Sequence, residues 1–284
     1  MQVYLNGEYV DKQRATVSVD DRGFLFGDGI YEVVRAYQGR LFALDEHLAR
    51  MRDGLRAIRI DGVDAGHFAD VCRRLLSRND MEHADAVIYM QVTRGTAPRR
   101  HWFPEAGTPA TVYASASPVL KKGDAASGVA VITAPDIRWA RCDIKSVNLL
   151  PNCMAQQRAR EQGGVEAILV RDGVALEGTS SSFFAVIDGE VRTAPKSNYI
   201  LPSITRQIAL DVAAELGIPW REAPVLVEDL ASAEELFLAG TTVEIMPIVR
   251  VDGHPVGSGR PGPLTDRLMA KFRERTRSPE TARV

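Results

Sequence analysis

The sequence predicts an α+β fold in two parts, and three features point to it. Strand-like alternation and helical apolar periods both occur in each half of the chain, without a regular βαβ succession. A stretch with no apolar period, Lys121-Lys122-Gly123-Asp124-Ala125-Ala126-Ser127-Gly128, reads as a domain linker. The 284 residues suffice for one large core or two medium ones. The expected division is a small N-terminal α/β domain over residues 1–120 and a larger C-terminal domain of mixed β-structure over 121–284.

The chain opens on a hairpin, with strands at 2–5 and 8–10 about Asn6-Gly7, a type I′ turn dipeptide. Gly23-Phe24-Leu25-Phe26-Gly27-Asp28-Gly29 is too glycine-rich for a regular element and reads as a tight functional loop. Residues 30–37 form a strand that Gln38-Gly39 turns into 41–43. Leu44, Leu48, Met51, Leu55 and Ile58 recur at steps of four and three, the stripe of an amphipathic helix. A second helix covers 65–78, with Phe68, Val71, Leu75 and Leu76 inward, and strands follow at 86–94 and 110–116. In the second half, strands fit 129–134, 143–147, 166–171, 182–187 and 190–193, with Asp188-Gly189 as a hairpin turn. Helices fit 152–162, 203–216 and 263–274, and Leu216-Gly217-Ile218-Pro219 stops the second of them. Residues 236–238 form a buried strand ending in Gly240-Thr241-Thr242, and the polar tail after 276 is expected to fray.

Hydrophobic residues at 45% and charged residues at 25% are ordinary for a globular protein, and a net charge of −2 gives no case for nucleic acid or an anionic membrane. Cys72, Cys142 and Cys153 match neither a zinc pattern nor a disulfide framework, so free thiols in a reducing compartment and no metal are expected. The first residues lack the features of a signal peptide, and no run of about 18 apolar residues exists to span a bilayer. The expected location is cytoplasmic.

A lone lysine is ordinarily a solvated charge. Lys145, however, lies in Cys142-Asp143-Ile144-Lys145-Ser146-Val147-Asn148-Leu149-Leu150, a run leading into apolar sequence where an unpaired ammonium is costly and a desolvated amine is a nucleophile. Glu177 stands before Gly178-Thr179-Ser180-Ser181-Ser182, whose hydroxyls and amides suit an anion; a surface acid before a Ser/Thr loop is the plainer alternative. In Leu201-Pro202-Ser203-Ile204-Thr205-Arg206, Ser203 reads as an N-cap, and free amides at a helix start favour phosphate. Gly240-Thr241-Thr242 offers a second set of donors. A lysine, a carboxylate and a phosphate-sized anion site are what a pyridoxal phosphate (PLP) enzyme requires. In Thr93-Arg94-Gly95-Thr96-Ala97-Pro98-Arg99-Arg100-His101, an extended backbone puts Arg99 and His101 on one face and Arg100 on the other. Arg99 with His101 is a carboxylate clamp, or else part of an exposed basic loop.

Together these segments resemble the class IV aminotransferases, the fold-type IV PLP enzymes, and most of all their D-amino acid aminotransferase branch. The resemblance runs from Asn6-Gly7 to about Phe272. It is most specific in Asp21-Arg22-Gly23-Phe24-Leu25-Phe26-Gly27-Asp28-Gly29-Ile30-Tyr31-Glu32-Val33-Val34, in Thr93 through His101, and in Asp136-Ile137-Arg138-Trp139-Ala140-Arg141-Cys142-Asp143-Ile144-Lys145-Ser146. It implies that Lys145, placed in the large domain, is the Schiff-base lysine and proton shuttle, that Glu177 partners the pyridine nitrogen, and that Tyr31 lines the site. It implies phosphate contacts from Arg50, Ile204, Thr205 and Thr241, with Ser180, Ser181 and Thr242 beside the cofactor. Arg99 and His101 would bind the substrate carboxylate from the neighbouring subunit of a homodimer.

The activity implied is transamination between a D-amino acid of the D-alanine or D-glutamate type and 2-oxoglutarate or pyruvate. Branched-chain L-amino acid aminotransferase, (R)-amine aminotransferase and aminodeoxychorismate lyase share the fold. The Arg99–His101 pair speaks for an α-carboxylate, while the substrate's hand comes from the resemblance alone. A non-catalytic PLP-binding protein is the reading of a different class, and the retention of both Lys145 and Glu177 speaks against it. The chain departs from the family at Gly240 (usually serine), Ser182 (usually asparagine) and Arg100 (usually small). Arg50 lies off the apolar stripe of its helix, so pattern alone reads it as solvated.

Overall fold

The computed structural model describes residues 1–120 and 123–277, and the chain divides into two units. One comprises Met1–Val119 with Ile144–Asn148, the other Leu120–Asp143 with Leu149–Arg277. The boundary falls beside the expected linker, of which Lys121 and Lys122 lie outside the described residues. Lys145 belongs to the first unit rather than to the large domain, because its segment leaves the second unit and hydrogen-bonds to a strand of the first.

In the first unit, β1 (Gln2–Leu5) and β2 (Glu8–Asp11) turn on Asn6-Gly7, both at positive φ as a type I′ turn requires. The glycine-rich run is not a loop throughout. It contains a short helix, α1 (Arg22–Phe26), because the Asp21 carboxylate caps Gly23 N and Gly27 ends the turn in the left-handed region. Then come β3 (Gly29–Tyr37), β4 (Arg40–Leu41), α2 (Leu44–Ala57), α3 (Phe68–Arg78), β5 (Ala86–Thr93) and β6 (Thr111–Pro118). The six strands form an antiparallel sheet in the order β2-β1-β6-β5-β3-β4. Ile30, Val34, Ile88 and Met90 enter a core with Leu48, Met51 and Leu55 of α2 and Phe68 and Leu75 of α3.

The second unit holds β7 (Val129–Pro135), α4 (Leu150–Glu161), β8 (Glu166–Arg171), β9 (Val174–Gly178), β10 (Ser182–Ile187), β11 (Glu190–Thr193) and α5 (Ile204–Glu215). It continues with β12 (Trp220–Glu222), β13 (Val225–Leu226), β14 (Glu235–Gly240), β15 (Glu244–Val251), β16 (His254–Pro255) and α6 (Pro263–Arg277). The strand order is β12-β11-β10-β14-β15-β7-β8-β9-β13, with β16 on β15. A β9–β10 pairing, Glu177 opposite Ser182, closes the strands from β10 round to β9 into a ring.

Two crossovers of βαβ type are present where no regular succession was expected: α4 joins parallel β7 and β8, and α5 joins parallel β11 and β12. β12 is short and exposed, so it has no alternation to read, and only Ala159 of α4 is fully buried. β15 escapes a strand reading because Pro247 interrupts it, although it pairs with β14 over Glu244–Ile248. The predicted strand at 143–147 is an irregular segment making one bridge, Ser146 to Ile30. α6 runs to Arg277, and the tail predicted to fray lies, from 278, outside the described residues. Among the described residues no helix is long and apolar enough to cross a membrane, and no His, Cys, Asp or Glu cluster could hold a metal ion.

Candidate active site

The backbone of β3 organises the first group of residues. Tyr31 N donates to Lys145 O at 2.9 Å and Val147 N donates to Gly29 O at 3.1 Å, which lays the lysine segment along the start of the strand. The half-buried Lys145 thereby places Nζ over the Tyr31 ring, 4.3 Å from its centroid, an attraction of about 0.5–2 kcal/mol. Tyr31 stacks on Tyr89 of β5, and the Tyr89 hydroxyl donates to Gln91 Oε1. Burial, reinforced by Tyr31 and Tyr113, pushes the Tyr89 phenol up to about 12, so the Tyr89 hydroxyl stays neutral.

Successive residues of β3 face opposite ways, so Glu32, next to Tyr31, points into the core beneath α2. There Arg50 donates Nε to Glu32 Oε1 at 2.7 Å and Nη2 to Oε2 at 2.9 Å, and His47 Nδ1 lies 2.8 Å from Oε2. Burial opposes the Glu32 charge, but Arg50 and then His47 outweigh it and hold the carboxyl well below the usual carboxylate range. Burial pushes His47 down, and Arg50 and Lys145 add to this against the pull of Glu32, so the neutral ring donates Nδ1–H to the carboxylate. Arg50 is therefore not a solvated flank residue, since a fully buried acid fixes its guanidinium. The signal in the sequence was a glutamate at a core-facing strand position, which requires a buried partner.

Glu32→Gln should cost about 3–5 kcal/mol, seen as a lower urea midpoint, because it strands Arg50 without its counter-charge. The pH sign follows from the same shift. A carboxyl held below its unfolded value stabilises fully above that value, about 4.3, and loses the contribution as pH falls toward its folded value. Acidification through that window should destabilise the wild type more steeply than Glu32→Gln.

The segment with Arg99 and His101 bends at 99 and at 101–102 rather than running extended, and its side chains divide by the ring that each meets. The Arg99 guanidinium lies 5.3 Å, and the His101 ring 5.8 Å, from the ring of Phe26, whereas Arg100 lies over Trp102.

In the second unit, the β9–β10 pairing places Glu177 beside the ring closure, buried, with both carboxylate oxygens engaged. Arg138 Nη1 donates to Oε1, and Leu201 N donates to Oε2 at 3.1 Å. Arg138 is held in turn by Asp136, Nε to Oδ1 at 2.9 Å and Nη2 to Oδ2 at 3.0 Å, and by Tyr199 O. Burial works against the Arg138 charge, but Asp136 and Glu177 outweigh it and raise its pKa. Burial pushes the Glu177 carboxyl up, while Arg138 and the Leu201 amide pull the other way. Residue-type reasoning passed over Arg138, since neither of its acid partners' side chains can be placed against it from spacing alone.

Three residues beyond Leu201, α5 begins. Ser203 Oγ accepts from Arg206 N and Ser203 O accepts from Gln207 N, so the amides of Ile204 and Thr205 precede the helical ladder and are open to an anion. Gly240 ends β14 so close to Ser181 that an added Cβ would meet Ser181 Cβ at 3.4 Å and Val243 Cγ2 at 3.3 Å, and Thr241 and Thr242 follow directly. The Ser180 and Ser181 hydroxyls both donate to Glu166, another buried acid. Each hydroxyl has one proton, so with both given to Glu166 neither side chain donates to an anion. Ser182 Oγ, on the strand opposite Glu177, is buried without a hydrogen-bond partner. The helix-start amides, the threonines after β14 and the buried Glu177 carboxylate, all of the second unit, have the chemistry that fits a phosphorylated pyridine; the Lys145 amine, in the first unit, has the chemistry to bind an aldehyde.

Residues 29–251 match the family model for amino-transferase class IV. The chain is 41% identical to the D-alanine aminotransferase of Bacillus licheniformis over 286 aligned residues, covering 100% of both chains. It is 41% identical to the D-alanine aminotransferase of Staphylococcus haemolyticus over 95% of this chain and 96% of that one. Among solved structures, branched-chain amino acid aminotransferase from Escherichia coli superposes with a TM-score of 0.88 at 29% identity, covering 96% of this chain and 93% of that one. The T.th. branched-chain amino acid aminotransferase, complexed with N-(5′-phosphopyridoxyl)-L-glutamate, gives 0.89 at 25% identity, with 99% and 96% covered. With a family model spanning most of its length and relatives at this identity from end to end, the chain belongs to the class IV aminotransferases.

Proposed function

We propose that this aminotransferase exchanges the amino group between a D-amino acid, of the D-alanine or D-glutamate type, and a 2-oxo acid such as 2-oxoglutarate or pyruvate, with PLP as its cofactor. The observation that carries this reading is Lys145, its amine set on the Tyr31 ring, in a chain aligned throughout with D-alanine aminotransferases. Bound PLP supplies an electron sink for the electrons left at the substrate Cα.

Lys145 would hold the cofactor through its amine and would carry the substrate Cα proton, as general base and then as general acid, to the cofactor side of the amino nitrogen. Tyr31 orients that amine through its ring face. Glu177, positioned by Arg138 and the Leu201 amide, partners the pyridine nitrogen. The phosphate is held by Arg50, which Glu32 keeps in place, by the Ile204 and Thr205 amides, and by Thr241 and Thr242. Ser180 and Ser181 stand beside the cofactor, their hydroxyls held by Glu166. Arg99 and His101 bind the substrate carboxylate, reaching from the neighbouring subunit of a homodimer. The exposed Phe24, Trp102 and Phe103 of the same unit support a covering partner, and sedimentation velocity should give twice the chain mass. Free Cys72 and Cys142, both buried, suit the reducing cytoplasm.

The branched-chain L-specific alternative rests on solved structures at 25–29% identity, below the 41% of the D-alanine enzymes. The test mixes the holoenzyme with the D- and L-forms of alanine, glutamate and leucine, and with 1-phenylethylamine, while cofactor absorbance is followed. D-alanine or D-glutamate should convert the spectrum. Conversion by L-amino acids alone would overturn the choice of branch.

A further inference from the structure

The loop over 98–103 has no regular structure of its own, and its residues are exposed, yet it carries the carboxylate-binding pair. The only strong donor aimed at its backbone among the described contacts is Arg22, the first residue of α1, which is 3% exposed. A buried arginine requires acceptors for its fork. Arg22 gives Nε to Asp28 Oδ2 at 2.7 Å and Nη1 to Arg100 O at 2.7 Å, with Trp102 O further away at 3.4 Å. Those two carbonyls flank His101, so one guanidinium brackets that residue's backbone. The same guanidinium lies 4.7 Å from the Phe26 ring that Arg99 and His101 also meet.

Asp28 is shared. Arg94 donates Nε to Oδ2 at 2.8 Å and Nη2 to Oδ1 at 2.9 Å, and reaches Ile58 O and Arg59 O at the end of α2. Its guanidinium lies 3.5 Å from the Phe103 ring. The loop is thus fastened at residues 100, 102 and 103 to a buried Arg22–Asp28–Arg94 relay anchored on α2, the helix that bears Arg50. At 3% and 7% exposure, neither Arg22 nor Arg94 is placed to meet substrate itself.

We propose that Arg22, Asp28 and Arg94, with the Phe26 ring, are positioning residues that hold the Arg99–His101 loop in register for the substrate carboxylate. This rests on the reading of Arg99 as carboxylate receptor. The informative variant is Arg22→Lys, which keeps the charge on Asp28 but cannot hold Asp28 and both flanking carbonyls at once. In the holoenzyme, hydrogen exchange over 98–104 should accelerate by about tenfold or more, and kcat/KM for D-alanine should fall by about tenfold, mostly through KM, as for a lost charged hydrogen bond. On an Arg99→Ala background, Arg22→Lys should add less than about twofold, since both act through one contact.

Unchanged exchange over 98–104 overturns the anchoring, and additive losses in the double variant overturn the link to Arg99. Should Arg22→Lys fail to fold, Phe26→Leu strands no buried charge and carries the same two expectations. A near-wild-type KM in Arg99→Ala would instead sink the carboxylate reading, while the exchange measurement still decides whether Arg22 holds the loop.

Discussion

Lys145→Ala is expected to abolish turnover while leaving the fold in place. The backbone of this segment is held without its side chain, by Tyr31 N on Lys145 O and by Val147 N on Gly29 O, and the side chain is only half-buried. Little packing is therefore lost. What goes is the amine, and with it both covalent attachment and the proton carrier. Proton transfer by a placed side chain is alone worth about 10²–10⁴ in rate, and attachment adds to that. Borohydride reduction followed by peptide mapping gives a readout independent of turnover: label should sit at Lys145 in the wild type and vanish from that peptide in the variant. Lys12 and Lys196 are exposed and Lys271 pairs with Glu274, so none of these stands on an aromatic face as Lys145 does. Label on any of them, or a fully active Lys145→Ala enzyme, would refute the assignment.

What the sequence made legible was local. The Asn6-Gly7 hairpin, the stripe of α2 and the Ser203 cap of α5 each depend on residues within a few positions of one another, and each stands in the structure. Elements whose stability comes from distant partners were not legible. β15 keeps its place despite Pro247 because β14 and β7 flank it, and the Lys145 segment has order only because β3 lends it hydrogen-bond partners. Site residues divide the same way. Lys145 and Glu177 stand out by type and by their flanking runs. Glu32 fixes Arg50 across 18 positions and Arg138 meets Glu177 across 39, and which residue partners which shows only once the chain has folded. The helical wheel by itself reads Arg50 as solvated because it cannot show a buried acid waiting on a neighbouring strand.

Arg99→Ala carries the second large effect, and Arg100→Ala is its control. A substrate carboxylate bound at Arg99 and His101 and shielded from water would lose about 3–5 kcal/mol on losing the guanidinium, which is about two to four decades in kcat/KM. The carboxylate does not react, so its contact is much the same in ground and transition states. Loss of such uniform binding should raise KM while kcat changes less. Arg100 sits next in sequence with the same charge, but over Trp102 rather than on the Phe26 face shared by Arg99 and His101. Removing it should move binding by no more than about 0.5 kcal/mol, as for a surface residue without a special contact. Long-range attraction of an anionic substrate would treat the two arginines alike, whereas a clamp separates them. Equal, modest losses in both variants would mean that the loop acts through its net charge. A large loss at Arg99 alone means that the side of the loop lying on Phe26 recognises the carboxylate.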